Sequence, residues 1–332
     1  MSAPLVPGIA DVHAAAARLA GLAVETPLVE SAALSDRFGA RLLFKPEVLQ
    51  RTGSFKFRGA YNKISMLSPQ ARGRGIVAFS SGNHAQGVAA AAAMFGARAV
   101  IVMPSDAPAV KIGNVRRMGA EVVLYDRYRE DRAVVARPFV DKGMALVPPY
   151  DDPAVIAGQG TVGLELVAQA ERLGAHLDAV VVPCGGGGLT GGVSIAVTHG
   201  SPQTRIWAAE PEHFDDTRRS LAAGERVENE PGHTSVCDAL LTPTPGEITF
   251  AINRKALAGS IAVTPRAVAA AMRDAMAHLK LVVEPGGAAA LAALSSGEIG
   301  IEGKTVAVVL SGGNVDFDLY ADIMAAKPPY DR

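Results

Sequence analysis

Three runs, Ala99–Met103 (AVIVM), Ala179–Val182 (AVVV, then Pro183) and Thr305–Leu310 (TVAVVL), set β-branched and other apolar residues side by side almost without interruption. A strand with one wet face alternates apolar and polar residues. An unbroken apolar run therefore predicts a strand covered on both faces, as in a parallel sheet. Shorter runs at Arg41–Lys45, Gly75–Phe79, Glu121–Tyr125, Ala145–Val147 and Arg205–Ala208 read as further strands. Helical patterns lie between them: an Ala-rich stretch over Gly82–Gly96, Ala107–Met118 after Ser105-Asp106, and Ala154–Leu173 with Val162, Leu164, Leu166 and Val167 at helical spacing. Thr264-Pro265 supplies an N-cap and a first-turn proline to a helix with Val268, Met272, Met276 and Leu279 on one face. This alternation predicts α/β layers with right-handed crossovers, and ligands at the C-terminal ends of the strands.

Composition narrows the function. Of 332 residues, 49% are apolar and 20% charged, which excludes a disordered chain. The 32 basic and 33 acidic residues leave a net charge of −1, so there is no global field to hold nucleic acid. Glycine stands at 35, against roughly 23 for average usage, and suits tight strand-to-helix turns around a small ligand. Two cysteines, Cys184 and Cys237, make neither a disulfide framework nor a CxxC pair, and point to a reducing cytoplasm. The N-terminus has no secretory pattern, and the apolar stretch around 87–97 is too short to span a bilayer, so no membrane partner is expected.

Five segments carry candidate chemistry. In Thr52-Gly53-Ser54-Phe55-Lys56-Phe57-Arg58, Thr52 and Ser54 can cap a helix whose first turn holds Lys56 between two aromatics. Helix dipole and apolar neighbours oppose an ammonium there, and a neutral amine can condense with an aldehyde, although on this segment alone a surface lysine near a helix start is the plainer reading. Ser80-Ser81-Gly82-Asn83-His84 follows a strand and opens a helix, a natural carboxylate site, although an ordinary N-cap cluster has the same composition. Gly185-Gly186-Gly187-Gly188-Leu189 follows a buried strand and favours a phosphate; no Lys follows the glycines, so it is not a Walker A loop. Ser311, in Ser311-Gly312-Gly313-Asn314, sits at a strand end, where it can meet a ligand ring or merely turn the chain. Glu210, in Glu210-Pro211-Glu212-His213-Phe214-Asp215-Asp216, belongs to an acidic cluster that suits a hard cation or simple solvation.

Taken in order, SFKFRGA, SSGNHAQG, PCGGGGL, AAEP and SGGN resemble the fold type II pyridoxal-phosphate enzymes, in the threonine/serine dehydratase and serine racemase branch, over about 26–316. The resemblance implies two open, mostly parallel twisted sheets flanked by helices: a large domain from 1–74 and 149–332, and a small one from 75–148. It implies pyridoxal 5'-phosphate held by Phe55, Lys56, Asn83, Gly185, Gly186, Gly187, Gly188, Leu189 and Ser311. Lys56 would bind the cofactor aldehyde and act as base at Cα, with Ser81 as the second acid/base. Ser80, Ser81, Asn83 and His84 would surround the substrate carboxylate. Glu210, Asp216 and the Phe214 carbonyl would hold Mg²⁺ or another divalent cation. The implied activity is an ammonia-lyase converting L-threonine, L-serine or a close β-hydroxy amino acid to a 2-oxo acid and ammonia. The same site serves a serine racemase or a 3-hydroxyaspartate dehydratase, and a non-catalytic amino-acid binder is the reading outside enzymology. A dicarboxylic substrate would need a further cation, which the sequence does not place. A homodimer or homotetramer is expected.

Overall fold

The computed structural model describes residues 5–80, 82–107, 109–126 and 129–326. Among these, the strands are β1 (Val29–Glu30), β2 (Arg41–Pro46), β3 (Ile76–Phe79), β4 (Ala99–Pro104), β5 (Glu121–Tyr125), β6 (Ala145–Leu146), β7 (Ala179–Pro183), β8 (Arg205–Pro211), β9 (Leu257–Val263) and β10 (Thr305–Leu310). Six form one sheet in the order β1-β2-β10-β7-β8-β9, with β1 antiparallel to β2 and every other pairing parallel. The other four form an all-parallel sheet, β5-β4-β3-β6.

The apolar runs behave as their pattern demands. Val306, Val308 and Leu310 of β10 enter one core while Ala307 and Val309 enter another on the opposite face. In β4, Ala99, Ile101 and Met103 enter one core and Val100 and Val102 a second. The helices that cover the faces and build the site are α1 (Lys56–Ser65), α2 (Asn83–Met94), α3 (Ala109–Arg117), α4 (Pro153–Arg172), α5 (Gly188–Gly200), α6 (Asp216–Ala223), α7 (Glu247–Ala256), α8 (Pro265–Asp274) and α9 (Pro285–Ala293).

The four-stranded sheet lies wholly within 75–148, but its core also takes Phe57, Ala60, Tyr61 and Ile64 from α1. One expectation fails locally. Met276 does not continue the buried face of Val268 and Met272: α8 passes into a π-helical turn over Ala275–Leu279, and Met276 is 47% exposed. The wider turn rotates the following residues off the expected stripe. Neither β1 nor β9 stands out in the sequence, since β1 is two residues long and β9 (LAGSIAV) mixes Gly and Ser into its run.

Candidate active site

The segment before α1 folds against the end of β10. Ser54 is extended and bridges Gly312, the Phe55 amide donates to the Ser311 carbonyl at 3.1 Å, and the Gly313 amide donates to the Gly53 carbonyl at 2.9 Å. Ser54 is thus taken up in a short ladder rather than a cap. Neither it nor Thr52 caps α1, which starts at Lys56 without side-chain capping. Thr52 is held at φ +63°, a sparsely populated region for a β-branched residue, immediately before this ladder. The result delivers Lys56 to the C-terminal edge of the large sheet. Its Nζ donates to the Pro149 carbonyl at 2.6 Å and lies 5.1 Å from the Phe55 ring centre. Burial brings its pKa down to about 8 against the opposing pull of Glu284.

Across the cavity, α2 begins without a side-chain cap. Ser80 Oγ instead accepts from the Gly82 amide at 3.2 Å. The first-turn N–H groups of α2 therefore remain available to an anionic guest, which favours the ligand reading of this segment over plain capping. Ser81 lies outside the described residues. Asn83 Nδ2 donates to Glu284 Oε1 at 2.5 Å, and Asn83 Oδ1 accepts from Asn314 Nδ2 at 2.7 Å, so both ends of its amide are engaged by protein. His84 is buried, shares a 2.8 Å hydrogen bond between Nε2 and the Val147 carbonyl, and leaves Nδ1 without a partner. Burial and the charge of Lys56 push its pKa down to about 3, so it brings no positive charge to a carboxylate.

The tetraglycine turn closes a third side. Gly187 adopts φ +87°, and a Cβ on Gly186 would lie 2.5 Å from the Tyr150 ring. Any larger residue at these two positions would be strained or would collide. Thr249 Oγ1 donates to the Gly186 carbonyl at 2.6 Å, and the turn runs directly into the uncapped N-terminus of α5. A glycine turn that leads into an uncapped helix N-terminus could hold a phosphate.

Phe55, Lys56, Ser80, Asn83, His84, Gly185 to Gly188, Leu189 and Ser311 all line one cavity of about 480 Å³. The amine and the glycine turn thus share a single space, sized for a cofactor and a small substrate. Glu210 and Asp216 sit elsewhere, at the end of β8 and the start of α6. Glu210 accepts from the Thr217 and Arg218 amides at 2.8 and 2.9 Å and from Ser260 Oγ at 2.6 Å. Asp216 Oδ1 accepts from Asn229, while its Oδ2 is buried and unpartnered. Burial, and then the neighbouring Asp216, push Glu210 up to about 8; burial pushes Asp216 up to about 7. No group of three or more His, Cys, Asp or Glu side chains able to hold a metal occurs among the described residues. Of the expected set only the Glu210 and Asp216 carboxylates are side chains, and the unpartnered Asp216 oxygen could meet a cation.

Three features in or beside the cavity escape the sequence reading. Glu284 is buried beside Asn83 with Oε2 unpartnered, and burial and then Asp238 push it up to about 7. Its only sequence signal is a lone acid in the apolar stretch Leu281-Val282-Val283-Glu284-Pro285. Tyr150 packs on the glycine turn. Arg132 lines the cavity, its guanidinium 5.0 Å from the Phe79 ring centre.

Comparison with known proteins bears on the family and the fold. A family model described as "Pyridoxal-phosphate dependent enzyme" matches residues 19–312. The chain is 42% identical over 325 residues to the L-threo-3-hydroxyaspartate ammonia-lyase of Saccharomyces cerevisiae, covering 97% of this chain and 98% of that one. It is 36% identical over 322 residues to the serine racemase of Schizosaccharomyces pombe, covering 97% and 98%. Among solved structures, a T.th. threonine deaminase superposes with a TM-score of 0.88 at 46% identity, covering 94% of this chain and 99% of that one.

Proposed function

The chain belongs to the pyridoxal-phosphate-dependent enzyme family, and from that premise we propose that it is an ammonia-lyase that eliminates water from a β-hydroxy α-amino acid of the L-threonine and L-serine type. The observation that carries this reading is the shared cavity: a buried, weakly basic Lys56 lines the same space as the Gly185 to Gly188 turn. A mere amino-acid binder has no use for a desolvated amine.

When bound, pyridoxal phosphate supplies an electron sink for the pair left at Cα. Gly185 to Gly188 and Leu189 would take its phosphate, Phe55 would lie against its ring, and Ser311 would offer an uncharged hydroxyl to it. Lys56 Nζ, neutral part of the time near pH 7, takes the Cα proton of the substrate. Ser80 and the first-turn amides of α2 hold the substrate carboxylate; neutral His84 and the Asn83–Glu284 pair shape the wall beside it. The β-hydroxyl takes up a proton and leaves as water, matching the proton lost from Cα, and hydrolysis of the released enamine gives an oxo acid and ammonia.

The presence of Arg132 in the cavity favours a second substrate reading, a dicarboxylic β-hydroxy acid whose distal carboxylate meets the guanidinium. A product assay over L-threonine, L-serine and L-threo-3-hydroxyaspartate tests both. Oxo acid from all three, with Arg132→Ala lowering kcat/KM for hydroxyaspartate by about a hundredfold and for serine by less than about threefold, supports the dicarboxylate role. D-Serine without oxo acid would instead make the protein a racemase.

The proposed cation set is Glu210, Asp216 and the Phe214 carbonyl. Mg²⁺ at about a hundred times its Kd should stabilise the protein by about 2.7 kcal/mol and raise Tm, and Asp216→Asn should remove the response. A Tm that ignores both Mg²⁺ and chelator eliminates this site. No helix among the described residues is long and apolar enough to cross a membrane. Two buried, unpaired cysteines support the cytoplasm as its place. Assembly into a homodimer or homotetramer is part of the proposal, to be read from solution mass.

A further inference from the structure

Lys111, on α3 within the 75–148 block, reaches out of that block to Asp238, which belongs to the rest of the chain; Nζ and Oδ2 are 2.6 Å apart. Both residues line the active-site cavity. Lys111 is only 6% exposed, whereas the Asp238 side chain is 41% exposed. The lysine stem lies against Gly82, where a Cβ would sit 3.2 Å from Lys111 Cδ. It thus backs the loop that opens α2. Glu284 and Asp316 also face its ammonium. A fully exposed ion pair contributes little because water competes for both ends. Here one end is stripped of water, which makes the charged hydrogen bond worth more, while the wetter aspartate end leaves it able to open.

We propose that Lys111 and Asp238 form a clamp that holds the 75–148 block closed over the cavity and sets the α2-opening loop where its N–H groups receive a substrate carboxylate. The proposal rests on the amino-acid lyase reading for the identity of that guest. Lys111 is a positioning residue, since it acts through Gly82 and the loop rather than on reacting atoms. Loss of the clamp weakens substrate capture more than the chemical step.

Steady-state kinetics of the holoenzyme on L-serine test this. Lys111→Met and Asp238→Asn should each raise KM by about tenfold or more and leave kcat within about threefold. The double variant should be no worse than either single one, and Lys111→Arg should recover most of the loss. In hydrogen exchange, Lys111→Met should speed the first-turn amides of α2. Glycine, which has the ammonium and carboxylate but no leaving group, should slow them in the unaltered holoenzyme and much less in the variant. Unchanged KM, multiplying effects in the double variant, or unchanged exchange would overturn the clamp. The near-isosteric Asp238→Asn carries the test if Lys111→Met fails to fold. A holoenzyme that makes no oxo acid removes the lyase reading, and the exchange experiment with glycine then decides the clamp by itself.

Discussion

Lys56→Ala should abolish the near-visible absorption that the purified holoenzyme acquires with pyridoxal phosphate, and should cut turnover by at least 10²–10⁴-fold, the usual contribution of a positioned base. Borohydride should fix the cofactor to the unaltered chain at Lys56 and leave the variant unlabelled. The pH dependence has a defined sign. Burial lowers the Lys56 pKa from an ordinary 10.5 to about 8, so the neutral amine makes up about a tenth of the population at pH 7 and grows as pH rises. Uptake of pyridoxal phosphate by the cofactor-free protein should accelerate with pH and level off above about 8, more than two units below the plateau of an exposed lysine. The same shift makes the ammonium of cofactor-free protein a cost to folding below pH 8, relieved as pH climbs from 8 to 10.5. A variant that keeps its colour and activity would remove Lys56 from the chemistry.

Much of this site is legible in sequence because its parts are local. A glycine turn after a buried strand, or a lysine in the first turn of a helix, carries its meaning within ten residues. The unbroken apolar runs are equally local, and they report the two-faced burial of β4, β7 and β10 directly. What stays hidden depends on partners distant in the chain. Ser54 looks like a cap until Gly312, far away in sequence, claims its backbone. Nothing near Asn83 in sequence announces Glu284 and Asn314, which the fold brings to its amide. Arg132 belongs to no motif, and only the fold sets it beside Phe79 on the cavity wall. The π turn at Ala275–Leu279 is likewise invisible to a periodicity that assumes 3.6 residues per turn.

Two residues beyond Lys56 on the same helix, Arg58 should prove the least replaceable charge in the protein. Its guanidinium is fully buried and clasped on two sides: by Glu47 through two 2.8 Å hydrogen bonds, and by Glu165 at 2.5 and 2.8 Å. Lys45 joins the set through Glu165 at 2.7 Å, so two cations balance two carboxylates. Removing one member leaves an unpaired charge out of reach of water, which costs about 3–5 kcal/mol. Glu47→Gln and Arg58→Met should each lower the stability of the cofactor-free protein by that amount, read as a fall in urea midpoint. Arg58→Lys should rescue little, because a single ammonium nitrogen cannot reproduce the four hydrogen bonds that the planar guanidinium makes to Glu47 and Glu165. Burial alone would raise the Glu47 pKa, but Arg58 holds it below the ordinary 4.5. Its folded value is therefore below its unfolded one. The contribution is complete above about pH 4.5 and drains away as pH falls through the folded value, an acid sensitivity that Glu47→Gln should blunt. Because the clasp ties the β2 end to α4 through the helix that begins at Lys56, these variants should also bind pyridoxal phosphate more weakly without touching it. A urea midpoint that stays put in both variants would show that α1 is held by its apolar face alone.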